Sequence, residues 1–141
     1  MSAQRQVLYT REMLALAVSL AQWPMRAEFT HQADMRSQSC GSVVRVGLDR
    51  DVAGGVAAFG VDARACALGQ ASAAILAAQI VGQSPASIAE ARDRLSAFLA
   101  GERPDPGDWP GIEVLATALP YPARHGSILL PWRAAVMALE R

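Results

Sequence analysis

The chain has 141 residues, 52% of them hydrophobic and 18% charged, which is typical of one folded domain rather than of a disordered chain. Thirteen basic and thirteen acidic side chains cancel, so the charge balance favours neither a nucleic-acid partner nor an anionic membrane surface. Two cysteines are too few for a disulfide-stapled secreted scaffold, and we expect a reducing, cytoplasmic setting.

The N-terminal part of the chain predicts one helix and one strand. Apolar spacing indicates a helix from Val7 to Gln22, and Pro24 ends it because proline has no backbone N–H to continue the helical hydrogen bonds. The apolar part of this helix is too short to span a bilayer and lacks the flanks of a signal peptide. A moderately polar stretch follows, in which we expect a strand around Ala27–Ala33.

The middle of the chain predicts a β-hairpin followed by a helix. The β-rich runs Ser42–Leu48 and Val56–Val61 flank a turn that contains Gly54 and Gly55. A run of small residues then predicts a helix from Leu68 to Val81, since alanine has the highest helix propensity.

Three further helices are predicted in the C-terminal half: from Ser84, as N-cap, to about Gly101, at Ile112–Leu119 and at Ser127–Leu139. The order of helix, three strands and helices indicates an α+β fold, in which a layer of helices covers a small three-stranded antiparallel sheet. No domain boundary is visible, so residues 1–141 are expected to form a single domain.

Cys66 lies where a predicted strand ends and a predicted helix begins. The unpaired N–H groups and partial positive charge of a helix N-terminus lower the pKa of a thiol, which makes it a better nucleophile or metal ligand. The hairpin brings Cys40 to the same end of the sheet, and we expect the two sulfur atoms within about 7 Å. Cys66 should be the more reactive thiol; a buried structural cysteine is the alternative.

Other residues give less specific signals. His125 lies in a proline-bounded loop before a helix, from which it can reach a site formed elsewhere, whereas His31 has the surroundings of a surface or strand histidine. Cys40, Cys66 and His125 together offer three donors for iron or zinc, without C-x-x-C or H-x-x-x-H spacing. The chain has no G-x-S-x-G motif for a serine hydrolase, and no motif supports a thiol hydrolase.

Five segments in order carry a resemblance to a known family. They are Leu8-Tyr9-Thr10-Arg11 with Met13-Leu14; Trp23-Pro24-Met25-Arg26; Cys40-Gly41-Ser42; Val61 through Cys66 with Ala71-Ser72; and Gly111 to Leu115 with Tyr121-Pro122-Ala123-Arg124. The chain resembles the U-type iron–sulfur scaffold family of IscU, the NifU N-terminal domain and SufU, with the SufE/NifU-like fold. It is most similar to the SufU branch, which has an insertion in the long stretch after Cys66.

The resemblance implies a metal site with two altered positions. In the family, three cysteines and the aspartate of a Cys-Gly-Asp motif surround one metal ion. Here Cys40 and Cys66 match two cysteines, Ser42 stands at the aspartate, and Gly126 stands at the third cysteine. His125, just before that position, serves as a ligand in some members.

Two functions follow from the resemblance. One is a scaffold or sulfur carrier, rather than an enzyme, that receives sulfur from a cysteine desulfurase on Cys66 or Cys40 and holds iron, zinc or a transient iron–sulfur cluster. The other is a degenerate relative without metal, which acts as a protein-interaction or regulatory module. Other iron–sulfur assembly proteins and a second copy of the chain are the implied partners. A four-coordinate site would need water, a partner residue or Asp62, so Gly126→Cys with Ser42→Asp is expected to strengthen zinc binding.

Overall fold

The computed structural model describes residues 10–38 and 41–141 of the chain. Within these ranges the predicted α+β architecture is confirmed, with one α-helix before the sheet and three after it, and the helix expected at Ile112–Leu119 is a 3-10 helix. The elements are α1 (Arg11–Ser19), β1 (His31–Arg36), β2 (Val43–Arg50), β3 (Val56–Arg64), α2 (Ala67–Ile80), α3 (Pro85–Leu99) and α4 (His125–Glu140), with short 3-10 helices at Leu20–Gln22, Ile112–Ala118 and Pro122–Arg124.

The three strands form one antiparallel sheet in the order β1-β2-β3, as predicted. At its centre Val46 lies opposite Ala33 on β1 and Val61 on β3, and all three are buried. Alternate residues face the helices because the side-chain period of a strand is two. Helix α4 packs against β1 and β2, and α2 packs against β3. The core therefore lies between one face of the sheet and the helical layer.

Helix α2 is buried on nearly all sides, and it contacts α1, α4 and β3. Its small residues allow this close approach. Trp132 of α4 is fully buried and donates its indole N–H to the Ser72 hydroxyl at 2.9 Å, and Ser72 donates to the Ile128 carbonyl at 2.7 Å. Because this buried polar network is satisfied, it fixes α4 against α2.

The segment between α1 and β1 crosses the outer face of the sheet, which is the face away from the helices. Gly47 on β2 and Gly60 on β3 lie directly opposite each other. A Cβ on either residue would lie 2.6 Å from a ring atom of Phe29. The backbone N–H of Val61 donates to the Trp23 carbonyl at 2.9 Å. The glycine pair thus makes room for a segment that also pairs with the edge of β3.

This crossing explains why the first strand is His31–Arg36, so that it begins four residues later than the expected strand around Ala27–Ala33 and overlaps it only at its end. Phe29 packs on the glycine pair, and the Thr30 N–H donates to the Asp49 carboxylate at 2.9 Å. The chain must turn to make these contacts, so the strand begins only after them. Both contacts are with residues distant in sequence, which local alternation does not reveal.

The helices follow their local signals more closely. Ser84 caps α3 by accepting a hydrogen bond from the Ser87 N–H at 3.1 Å, as predicted. Helix α4 begins at His125, two residues before the expected start, so Pro131 falls in its second turn. There the missing proline N–H leaves the Ser127 carbonyl without its helical donor. No helix in the described parts of the chain has the length and apolar character needed to span a membrane.

Candidate functional site

The candidate site lies at the end of the sheet where β3 leads into α2. Strand β3 continues to Arg64, three residues beyond the predicted end, and Cys66 is the N-cap residue of α2. The thiol is half-buried and lies next to the backbone N–H groups of the first turn of α2. The expected position of Cys66 at a strand-to-helix junction is therefore confirmed.

Two serine hydroxyls accompany the thiol. Ser127, in the first turn of α4, has its Oγ 3.7 Å from the Cys66 Sγ. Ser42, which precedes β2, donates to the Ser127 Oγ at 3.4 Å. Both serines are buried. Residues from three separate parts of the chain thus form a chain of polar contacts, Ser42–Ser127–Cys66, which we call the hydroxyl–thiol cluster.

Glycines shape the surroundings of the hydroxyl–thiol cluster. Gly69 lies in the first turn of α2, where only glycine fits. A Cβ at this position would collide with the Ser127 hydroxyl and lie 2.8 Å from the Ala65 Cβ. Gly41 has a φ of 75°, a left-handed conformation that favours glycine, and the loop between β1 and β2 is closed by a 2.8 Å hydrogen bond from the Ser37 N–H to the Ser42 carbonyl. The backbone therefore holds α4 and the Ser42 segment close to the start of α2.

The pKa of the Cys66 thiol lies below its ordinary value. Burial is the largest single influence, and it raises the pKa because it disfavours the charged thiolate. The backbone N–H groups of Gly69 and Leu68 act in the opposite direction by hydrogen bonding to the thiolate. The Ser127 hydroxyl and the Arg124 side chain also lower the pKa, and the four groups together outweigh burial. These four groups thus stabilise the thiolate form of Cys66.

The other predicted site residues are dispersed. Cys40 lies outside the described residues, so its expected distance from Cys66 stays a prediction. The Nε2 atom of His125 lies 3.0 Å from the Ala118 carbonyl and must donate to it, which leaves Nδ1 as its free acceptor. Asp62 is exposed on the outer face of the sheet, 3.9 Å from Arg64. Among residues 10–38 and 41–141, no three His, Cys, Asp or Glu side chains form a group suited to a metal ion.

Ser127 is the site residue that sequence reasoning missed. Gly126, the expected third-cysteine position, lines a cleft with Arg36 and Arg133, whereas Ser127 contacts Cys66. The two positions are adjacent, so a one-residue error in alignment exchanges them. The available signal was the apolar run that follows Ser127 in the sequence, because the buried part of α4 begins at Ser127 and continues without interruption to Trp132, whereas Gly126 is only partly buried.

A thiol-reactivity experiment tests the role assigned to Ser127. Replacing Ser127 with alanine removes a hydrogen bond to the thiolate, so the pKa of Cys66 should rise. The rate at which iodoacetamide alkylates Cys66 is measured from acidic to basic pH. In Ser127→Ala the midpoint of this rate profile should lie at a higher pH, and the rate at neutral pH should be several-fold lower. Ser87→Ala, which removes a partly buried hydroxyl of α3 that bonds only to Gln83 and Ser84, is the control and should leave the midpoint unchanged. Equal midpoints for wild type and Ser127→Ala would contradict the assignment.

Comparisons with known proteins agree with this architecture. No protein-family model and no curated protein sequence matches the chain. The crystal structure of the N-terminal part of a nitrogen-fixing NifU-like protein from Brucella abortus is 30% identical, with a TM-score of 0.89, over 97% of this chain and 95% of that one.

A second structure shares the fold. It is assigned as an iron–sulfur cluster assembly scaffold protein for the SUF system of the thermophile Fervidobacterium islandicum AW-1. It is 21% identical with a TM-score of 0.82, and the similarity covers 94% of this chain and 96% of that one. Given the identity to the NifU-like protein over nearly the whole of both chains, this protein belongs to the U-type iron–sulfur scaffold family.

Proposed function

We propose that this protein is a sulfur carrier of iron–sulfur cluster assembly and that Cys66 is its sulfur-accepting thiol. The observation that carries the proposal is the position of Cys66 at the N-terminus of α2, half-exposed and with its pKa lowered by hydrogen-bond donors. Membership of the scaffold family supports the pathway, and the Fervidobacterium relative is itself assigned to cluster assembly. We place the protein in a reducing, cytoplasmic compartment, where such a thiol stays free.

The proposed donor is the persulfide of a cysteine desulfurase. The Cys66 thiolate attacks the outer sulfur of that persulfide, and a new sulfur–sulfur bond forms on Cys66. The sulfur–sulfur bond in the donor breaks, and the donor cysteine leaves as a thiolate. The donor is reduced to its resting thiol state while Cys66 becomes a persulfide, so no further oxidant or reductant is needed.

The described donor set does not fit a tightly held ion or cluster. A structural or catalytic zinc site uses anionic sulfur, carboxylate or imidazole donors. The hydroxyl–thiol cluster has one thiol and two neutral hydroxyls, which bind such ions weakly. We therefore propose that iron, zinc or a cluster is at most a transient cargo of Cys66 and Cys40, with His125 able to contribute only through Nδ1 as it is placed. Asp62 is not proposed as a ligand, because its side chain lies on the outer face of the sheet near Arg64.

A degenerate relative acting as an interaction or regulatory module is the second candidate. The observation that favours it is that Ser42 hydrogen bonds to Ser127, which in turn contacts the Cys66 thiol. Such a cluster is already satisfied without a ligand. In this alternative Cys66 accepts no sulfur.

Sulfur transfer distinguishes the two candidates. The protein is mixed with a cysteine desulfurase and L-cysteine, and persulfide on each cysteine is measured by mass spectrometry of the intact protein and its peptides. We expect one added sulfur on Cys66, its loss in Cys66→Ser and its retention in Cys40→Ser. Absence of sulfur on the wild type, or equal labelling of wild type and Cys66→Ser, would overturn the proposal. Cys40→Ser also shows whether the second thiol is required.

A further inference from the structure

We propose that the outer face of the sheet, beside Cys66, is a docking surface for an acidic segment of the protein that delivers sulfur. This inference rests on the proposed function. The surface is the row formed by Arg36, Val43 and Arg64, which we call the arginine row. It lies at the end of the sheet from which the chain passes to Cys66.

The strand register places these three residues side by side. Val43 of β2 pairs with Arg36 of β1 on one side and with Arg64 of β3 on the other. Residues paired across antiparallel strands project from the same face. With neighbouring strands about 4.8 Å apart, the two arginine Cα atoms are about 10 Å apart. Two cations thus flank a half-buried apolar side chain.

The neighbouring row leaves these two cations largely unneutralised. It consists of Asp34, Arg45 and Asp62, paired across the same three strands. Arg45 holds Asp34 through two hydrogen bonds of 3.0 and 3.3 Å. Asp62 approaches Arg64 only to 3.9 Å, and both side chains are more than half exposed, so this ion pair contributes little. No carboxylate among the described residues forms an ion pair with Arg36.

The positive charge continues around the end of the fold. Arg36 and Arg133 line one cleft together with Gly126, the residue before Ser127. Arg124 interacts with the Cys66 thiol itself. The whole chain has no formal net charge, so this concentration of arginines is a local asymmetry. Of these arginines, Arg124 reaches the thiol that the proposed reaction uses.

The complementary partner is a protein segment with carboxylates on either side of an apolar residue. Its carboxylates would contact Arg36 and Arg64, and the apolar side chain would cover Val43. Arginine suits this role because its planar guanidinium binds carboxylates with two parallel hydrogen bonds. Charge complementarity at an exposed surface mainly accelerates association. The arginine row would therefore guide the donor persulfide to Cys66.

The test compares two sulfur donors on the wild type and on Arg36→Glu with Arg64→Glu. One donor is the cysteine desulfurase charged with L-cysteine, and the other is cysteine persulfide, a small molecule that needs no docking surface. We expect the double variant to receive sulfur from the protein donor about tenfold more slowly or worse, with a weaker dependence on salt. Its rate with cysteine persulfide should equal that of the wild type. A short poly-glutamate peptide should inhibit the protein donor on the wild type only.

The controls separate this inference from the proposed function. Arg11→Glu reverses an exposed arginine on α1, away from the sheet, and should transfer sulfur at the wild-type rate. Equal rates with the protein donor for wild type and the double variant would overturn the docking surface while leaving Cys66 as the acceptor. Failure of Cys66 to accept sulfur from either donor would overturn the proposed function instead. Equal slowing with both donors would show that the arginines act on the thiol rather than on docking.

Discussion

Ser42→Asp combined with Ser127→Cys is expected to raise the zinc affinity of this protein by about a thousandfold or more. Ser127→Cys adds a second thiolate beside Cys66, because Ser127 contacts the Cys66 thiol. Ser42→Asp adds a carboxylate next to that new thiolate, because Ser42 contacts Ser127. With Cys40, as the family resemblance implies, the donor set would reach four, as tetrahedral zinc requires. Zinc affinity can be measured by competition with a chromophoric chelator.

The matched control is Ser42→Asp with Gly126→Cys. Gly126 lines the cleft with Arg36 and Arg133, so a cysteine there should gain far less affinity than one at the next residue. Since an ion that binds only the folded state stabilises it, the Ser127→Cys version should gain about 4 kcal/mol at saturating zinc, or roughly 14 °C in melting temperature. Equal gains by both versions, or a greater gain by the Gly126→Cys version, would refute the assignment of Ser127.

Gly60→Val is expected to destabilise the fold by about 3 kcal/mol, or roughly 10 °C in melting temperature. The new Cβ would collide with the Pro24 carbonyl and lie 2.6 Å from the Phe29 ring. The first of these atoms is backbone, so relief requires moving the whole crossing segment and its hydrogen bond from the Val61 N–H to Trp23. Urea denaturation followed by circular dichroism measures the loss.

Ala57→Val on the same strand is the control, because Ala57 is exposed and valine favours strands. Its free energy of unfolding should stay within about 0.5 kcal/mol of the wild type. A Gly60→Val protein as stable as Ala57→Val would mean that the crossing segment does not pack on the glycine pair.

Much of the fold is encoded locally. The hairpin follows from two β-rich runs around a glycine-containing turn, and α3 follows from Ser84 and Pro85, whose capping roles involve only neighbouring residues. The position of Cys66 at a helix N-terminus is also encoded locally, since a β-rich run followed by an alanine-rich run predicts where the helix begins.

The tertiary structure alone decided where β1 begins and which residue faces Cys66. Phe29 lies outside β1 because its ring packs on the sheet over Gly47 and Gly60, which have no side chains. That contact joins residues far apart in sequence.

By itself, the sequence determined the α+β class, the hairpin and the helix that begins at Cys66, because short-range propensities and capping specify these features. Only the packing of α4 on α2 decided that Ser127, and not Gly126, completes the hydroxyl–thiol cluster. The rotation of a helix about its axis is set by the side chains that it buries, here Trp132 against Ser72. A difference of one residue changes that direction by about 100°, and a local sequence pattern does not specify it to that accuracy.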